Sequence, residues 1–249
     1  NFQLASSIIN SADSRSASYT SRALELSMKV LDDSEFAPFL TNHDQDRVMS
    51  ELRGDVNKAK VAASLLLTSP GTPFIYYGEE IGMQGRKPDE NIRRPMQWSD
   101  ADSAGFTTGK PWREPDADYT QVNVAAQTND PTSLLAHYRA LIQLRNAHPA
   151  LRVGNYLTMQ TDADRLFASL RISEEETVLV LINTGDENIS NFTLKANETG
   201  LAEGSYLLTS LFGPSLNLEL SANDQGSFDL KSDVEIPANQ TIILELKLK

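Results

Sequence analysis

Cysteine is absent from the 249 residues, which excludes disulfides and thiolate metal sites. That absence leaves the compartment open. No apolar run reaches the length a membrane-spanning helix needs, and no secretory leader is legible. Positive charge is in deficit: 22 Lys and Arg stand against 34 Asp and Glu, a net charge of −12. That balance argues against nucleic acid and anionic membrane surfaces as partners. A neutral ligand such as a sugar suits it, though acidity alone selects nothing. Apolar residues make up 40%, too many for disorder, and the length fits one large domain or two ordinary ones. The first residue is Asn1 rather than Met, and residues 1–4 alternate polar and apolar like a strand. The expectation is a piece of a longer protein that begins inside a strand.

What is present begins with Phe39-Leu40-Thr41-Asn42-His43-Asp44-Gln45-Asp46-Arg47. An apolar run there ends in an amide, an imidazole and a carboxylate, as a barrel strand does when it delivers polar groups to a site at its C-terminal end. Gly71-Thr72-Pro73-Phe74-Ile75-Tyr76-Tyr77-Gly78-Glu79-Glu80 repeats the arrangement. Helical spacing of Leu24, Met28 and Leu31 predicts a helix over 18–31, and Ala59, Ala63, Leu66 and Leu67 predict another over 56–68, stopped by Pro70-Gly71. With strands at 1–4, 36–41 and 74–77, the order reads βαβαβ, which implies parallel strands. Residues 80–130 form a long Gly-, Pro-, Asp- and Trp-containing connection of the kind that is usually functional. Asp130-Pro131 is expected to cap a helix that buries Leu134, Leu135, Tyr138, Leu141 and Ile142 and ends at His148-Pro149. Beyond Leu151 the period changes to two. Strands are expected over 178–182, 189–194, 206–212 and 242–248, an antiparallel sandwich. The boundary falls near residue 150, giving units 1–150 and 151–249.

Asp44 is the leading candidate for chemistry. A carboxylate at a strand's C-terminal end can be a general acid or base, a nucleophile, an electrostatic stabiliser or a metal ligand. It can also simply cap the loop, with Asn42 and His43. Asn42 and His43 otherwise suit a hydroxyl-rich ligand. Asp44 and Glu79 would make a carboxylate pair of the glycosidase kind, although structural hydrogen bonds from Glu79 to loop backbone are the favoured reading. Of Tyr76 and Tyr77, one is expected to pack inward. Arg47, Arg93 and Arg94 either bind substrate or pair with acids such as Asp46 and Glu90. Trp98, Trp112 and Phe106 either stack on sugar or anchor the long loop, and anchoring is favoured for Trp112. His137 and His148 are expected to be structural. The sequons at Asn188, Asn191, Asn197 and Asn239 are discounted, since such tripeptides arise readily by chance.

At these residues the chain resembles the α-amylase family of glycoside hydrolases, family 13. Residues 39–44 are similar to the family's motif at the end of barrel strand 7, and residues 71–83 to strand 8 and the segment just after it. Arg93-Arg94-Pro95-Met96-Gln97-Trp98, Val122-Asn123-Val124, the helix ending in His148-Pro149-Ala150-Leu151 and the terminal Ile236-Pro237-Ala238 also match. The resemblance implies α/β plus all-β architecture: strands 6–8 of a TIM (β/α)8 barrel, with Asn1 in strand 6, followed by a β-sandwich. It implies a retaining mechanism on α-glucosidic bonds. Asp44 matches the third carboxylate, which stabilises the oxocarbenium-like transition state, and His43 the residue that hydrogen-bonds the sugar. Asn42, Arg47 and Asp89 complete the expected substrate contacts. No residue here matches the nucleophile or the acid/base, which the family carries on strands 4 and 5. The chain is therefore expected to be inactive alone and to have as partners an α-glucan oligosaccharide and the N-terminal remainder of the enzyme. No cofactor is expected in this chain. Calcium would belong to the whole enzyme, on its B domain.

Exo-acting relatives carry a long insertion after strand 8 and an Arg that closes the pocket. Here the connection is short, and Asp89 stands where that Arg aligns, with Arg86 as the rival alignment. Endo-acting cleavage of starch or maltooligosaccharide is expected. The alternatives are an α-glucosidase or oligo-1,6-glucosidase, a trehalose-synthase-like relative, or a non-catalytic carbohydrate-binding fragment. A bacterial secreted or periplasmic location is expected, with the cytoplasm as the alternative.

Overall fold

The computed structural model describes residues 1–31 and 36–249. Residues 1–4, expected as a strand, start a helix instead. In α1 (Phe2–Ser14) the buried residues Leu4, Ala5, Ile8, Ser11 and Ala12 recur with the period of a helix, and the Asn1 side chain accepts from the Leu4 N–H as N-cap. A four-residue alternation was too short to outweigh that thirteen-residue stripe. Only Asn1 itself lies along the next extended segment, its amino group 3.1 Å from the Ala37 carbonyl. The βαβαβ reading loses its first strand accordingly. α2 (Ser18–Ser27) packs against α1.

The two expected parallel strands survive as extended chain joined by one bridge. Phe39 sits opposite Phe74 in parallel, flanked by Thr72 N–H to Phe36 O at 2.9 Å and Phe74 N–H to Pro38 O at 2.8 Å. Gly71 leads into the second segment at φ +82°, where an added Cβ would collide with the Cβ and carbonyl of Phe36. Between the two run α3 (Val48–Glu51) and α4 (Val56–Thr68), the latter N-capped by Asp55.

The long connection holds α5 (Asp89–Ile92), a 3₁₀ turn at Asp102–Gly105 and α6 (Val124–Thr128). Gln97 is its buried centre: its side-chain amide donates to Asp118 Oδ1 and the Val122 carbonyl. α7 (Leu134–Ala147) is capped by Ser133, whose hydroxyl accepts from the Ala136 N–H. The expected cap, Asp130, instead closes the preceding turn by accepting from the Thr132 N–H and hydroxyl. α8 (Pro149–Val153) comes next, with Pro149 at its first position.

From residue 155 the chain is all strand. One antiparallel sheet has the order β1 (Asn155–Thr158), β3 (Leu166–Ile172), β4 (Thr177–Asn183), β9 (Thr241–Leu248), β6 (Gly204–Phe212), β7 (Glu219–Ala222). A second has the order β2 (Gln160–Thr161), β5 (Phe192–Ala196), β8 (Phe228–Ser232). Four strands fall on expected positions, with β5 shifted so that Ile189 makes only a bridge to Ile236. β4 is apolar without interruption because both its faces are covered. Val178, Val180 and Ile182 join the core of α1, α4 and α7, while Leu179 and Leu181 join the core between the two sheets.

Buried arginines tie the helices to each other and to the sheet. Arg145 donates from Nη1 to the carbonyls of Leu67 and Ser69 at 2.7 and 2.9 Å and from Nη2 to that of Gly71, absorbing acceptors left at the C-terminus of α4. Arg171, on β3, donates to Thr68 O and Gly154 O, both at 2.8 Å.

Candidate active site

Asn42, His43 and Asp44 follow directly after the bridge at Phe39, where the extended segment breaks into a turn. The Asn42 side chain makes that turn: its Oδ1 accepts from the Asp44 N–H at 2.9 Å, and its carbonyl accepts from the Gln45 N–H at 3.2 Å. The turn pushes the next two side chains outward. His43 and Asp44 are 65% and 64% exposed, with His43 Nε2 3.3 Å from Asp44 Oδ2. Asn42 thus shapes the turn, and His43 and Asp44 are the groups presented.

Residues 85–94 form a rim beside this turn. Arg93 donates from Nε to the His43 carbonyl at 2.8 Å and from Nη2 to Asp44 Oδ1 at 3.0 Å and Asp89 Oδ2 at 2.6 Å. Lys87 Nζ reaches Asp89 Oδ1 at 2.6 Å. That hydrogen bond, with the Arg93 and Lys87 charges, holds the Asp89 carboxyl below its ordinary range. Asp89, expected as a substrate contact, is thus engaged with Lys87 and Arg93. The rim is stitched down by Arg47 N–H to Gly85 O at 2.9 Å, Lys87 N–H to Asp46 Oδ1 at 2.7 Å and Arg86 Nη2 to Ser50 O at 2.6 Å. Lys87 was missed in the sequence. Its signal was the alternation of Lys87, Asp89 and Arg93, with Asp89 and Arg93 one helical turn apart.

Arg47, also expected at the substrate, is placed beneath this surface. It is 1% exposed, and its guanidinium carbon lies 4.7 and 4.8 Å from the ring centres of Tyr76 and Tyr77. Its Nη1 donates to the Tyr77 carbonyl at 2.7 Å. The acid expected beside it, Asp46, pairs with Arg86 instead. Both tyrosines are occupied at their hydroxyls, Tyr76 with Ile92 O and Tyr77 with Arg94 O. Burial, with Tyr77 adjacent, pushes the Tyr76 phenol up to about 12. Arg94 pairs with Asp116 at 2.8 Å rather than with Glu90.

Glu79 is buried under the second strand end. Its Oε1 accepts from the Tyr138 hydroxyl at 3.2 Å, a partner on α7, and the Tyr76 backbone adds a second hydrogen bond to the carboxyl, as the expected backbone reading has it. Oε2 has no hydrogen-bond partner among the described residues. Burial raises its pKa to about 8, against the opposing pull of the Tyr138 bond, so the carboxyl is protonated at neutral pH. Glu79 and Asp44 therefore form no paired set. Trp112, expected to anchor the loop, is 61% exposed. Trp98 and Phe106 are also exposed, on either side of the 3₁₀ turn. His137 is half-buried and bonded to Ser64 Oγ and Lys60 O, and His148 to Glu176, structural placements for both. Among the described residues no group of three or more His, Asp or Glu is arranged to hold a metal ion, and no helix is long and apolar enough to cross a membrane.

The model of the α-amylase catalytic domain matches residues 2–154. The chain belongs to the α-amylase family. Within it, alpha-amylase 3 of Dictyoglomus thermophilum is 36% identical over 205 residues, covering 80% of this chain and 41% of its own length. The oligo-1,6-glucosidase of Halalkalibacterium halodurans is 34% identical over 211 residues, covering 69% and 37%. The crystal structure of the alpha-amylase from H. orenii superposes with a TM-score of 0.77 at 33% identity, over 99% of this chain and 48% of that one. The chain spans less than half the length of these relatives. Trehalose-6-phosphate hydrolases match as well, so the relatives are family 13 glycosidases of more than one specificity.

Proposed function

We propose that this chain supplies the third-carboxylate side of a retaining α-glucan hydrolase of endo type. The observation that carries the reading is the exposed Asp44–His43 pair at the end of the Phe39–Phe74 parallel pair, lifted into solvent by the Asn42 turn. Asp44 stabilises the positive charge that develops at the anomeric carbon. An anion so placed helps the transition state more than the ground state. His43 donates to a sugar hydroxyl. Residues 1–150 then form the end of the (β/α)8 barrel and 151–249 a β-sandwich domain. The nucleophile and acid/base come from the N-terminal remainder of the enzyme, and any calcium is held there too. Endo action is supported by the short rim at residues 85–93, whose Asp89 is engaged by Lys87 and Arg93. A second reading, oligo-1,6-glucosidase activity, draws on the relatives of that name. In the assembled enzyme Asp44→Asn should lower kcat on long maltodextrin by about 10³-fold or more. Near-normal turnover of Asp44→Asn would remove the reading. Rapid cleavage of maltose or isomaltose with little endo activity in the wild type would favour the glucosidase.

A further inference from the structure

We infer that Arg93 is the positioning residue for the Asp44 carboxylate, an inference that rests on the catalytic reading of Asp44. One edge of the Arg93 guanidinium grips two consecutive residues of the turn, Nε the His43 carbonyl at 2.8 Å and Nη2 Asp44 Oδ1 at 3.0 Å. The fork fixes both the backbone that sets where Asp44 starts and the side chain that sets where it points. Apart from Arg93, the polar contacts of the Asp44 side chain among the described residues come down to His43 Nε2 at 3.3 Å. Its carboxylate, 64% exposed, would otherwise rotate freely.

Arg93 can do this because it is itself held. Asp89 Oδ2 accepts from the same Nη2, and Lys87 holds the other oxygen of Asp89. On either side of Arg93 the backbone is tied to the second strand end, Ile92 O by Tyr76 and Arg94 O by Tyr77. The two strand ends are thereby linked through one guanidinium. Such partly exposed pairs add little to folding stability, so the arrangement is better explained by orientation than by stabilisation of the fold. Asp44 Oδ2 faces His43 Nε2 at 3.3 Å, and the carboxylate as a whole stays 64% exposed.

The test uses the assembled enzyme with Arg93→Gln, Arg93→Lys and Arg93→Ala, and Asp44→Asn as reference. Arg93→Gln is expected to lower kcat on the order of 10²-fold, as a misplaced catalytic group does, with KM within about threefold because ground-state binding is kept. Arg93→Lys should recover only part of the loss, since an ammonium cannot make the fork. Added guanidinium ion should raise the rate of Arg93→Ala, a rescue that a merely structural residue would not give. If Arg93→Gln does not fold, the kcat of Arg93→Lys decides. Wild-type kcat in a folded Arg93→Gln or in Arg93→Lys, with Asp44→Asn inactive, overturns the inference alone. An active Asp44→Asn overturns both it and the catalytic reading.

Discussion

Replacing Glu79 by Gln should remove the stability that this carboxyl loses as pH rises from about 4.5 to about 8. In the unfolded chain this carboxyl ionises near 4.5, whereas in the fold its pKa is about 8. Between those values the folded state binds a proton that the unfolded state has released. Stability is fully present below about 4.5 and is lost as pH rises through 8, at about 1.4 kcal/mol per pH unit. From pH 6 to pH 8 the wild type should lose about 2–3 kcal/mol on this account, roughly 5–10 °C in melting temperature for a chain of this size. The substituted amide keeps the acceptor for the Tyr138 hydroxyl and has no charge to bury, so the variant should lose less stability than the wild type over that range. Thermal unfolding measured by circular dichroism at pH 6, 7 and 8, with wild type and Glu79→Gln in parallel, reads the difference directly. An equal fall in both would refute the assignment of a buried neutral carboxyl to Glu79.

Two further perturbations probe the helical half. Burial holds His137 down at about 4, so stability present above 6.5 should be lost as pH falls from 6.5 towards 4, by about 3 kcal/mol, and His137→Gln should remove that dependence in urea titrations at pH 7 and 4.5. Arg145→Met leaves the carbonyls of Leu67, Ser69 and Gly71 without their donor and should destabilise the chain by about 3 kcal/mol or more at pH 7; a shift in urea midpoint equivalent to under 1 kcal/mol would show that other donors replace it.

The parts of the fold legible in sequence were those whose cause is local. The helix over 56–68 appeared with its observed bounds because Asp55 caps it and Pro70-Gly71 comes after it. The Asn42-His43-Asp44 turn was legible because three polar residues interrupt an apolar run. What was illegible came from partners far apart in the chain. β3 did not read as a strand because Arg171 breaks its apolar run, and its burial depends on carbonyls at Thr68 and Gly154. Arg47 looked like a surface cation because the rings that cover it lie about thirty residues on. Ser133 rather than Asp130 caps α7 because the Asp130 carboxylate is taken up by the Thr132 N–H and hydroxyl, leaving Ser133 Oγ to accept from the Ala136 N–H. Arg93 reads in sequence as a substrate contact or an ion-pair partner, since nothing there says that its fork closes on the backbone of residue 43.

The alternation along β4 has a consequence for how the molecule comes apart. Val178, Val180 and Ile182 belong to the helices' core, and Leu179 and Leu181, on the same strand, to the core between the sheets. Melting either core strips one side from the same five residues and exposes apolar surface that the other core needs held in place. The strand therefore acts as a shared wall, and the helical and all-strand parts should lose structure together, as a single cooperative unit with no folded half left standing.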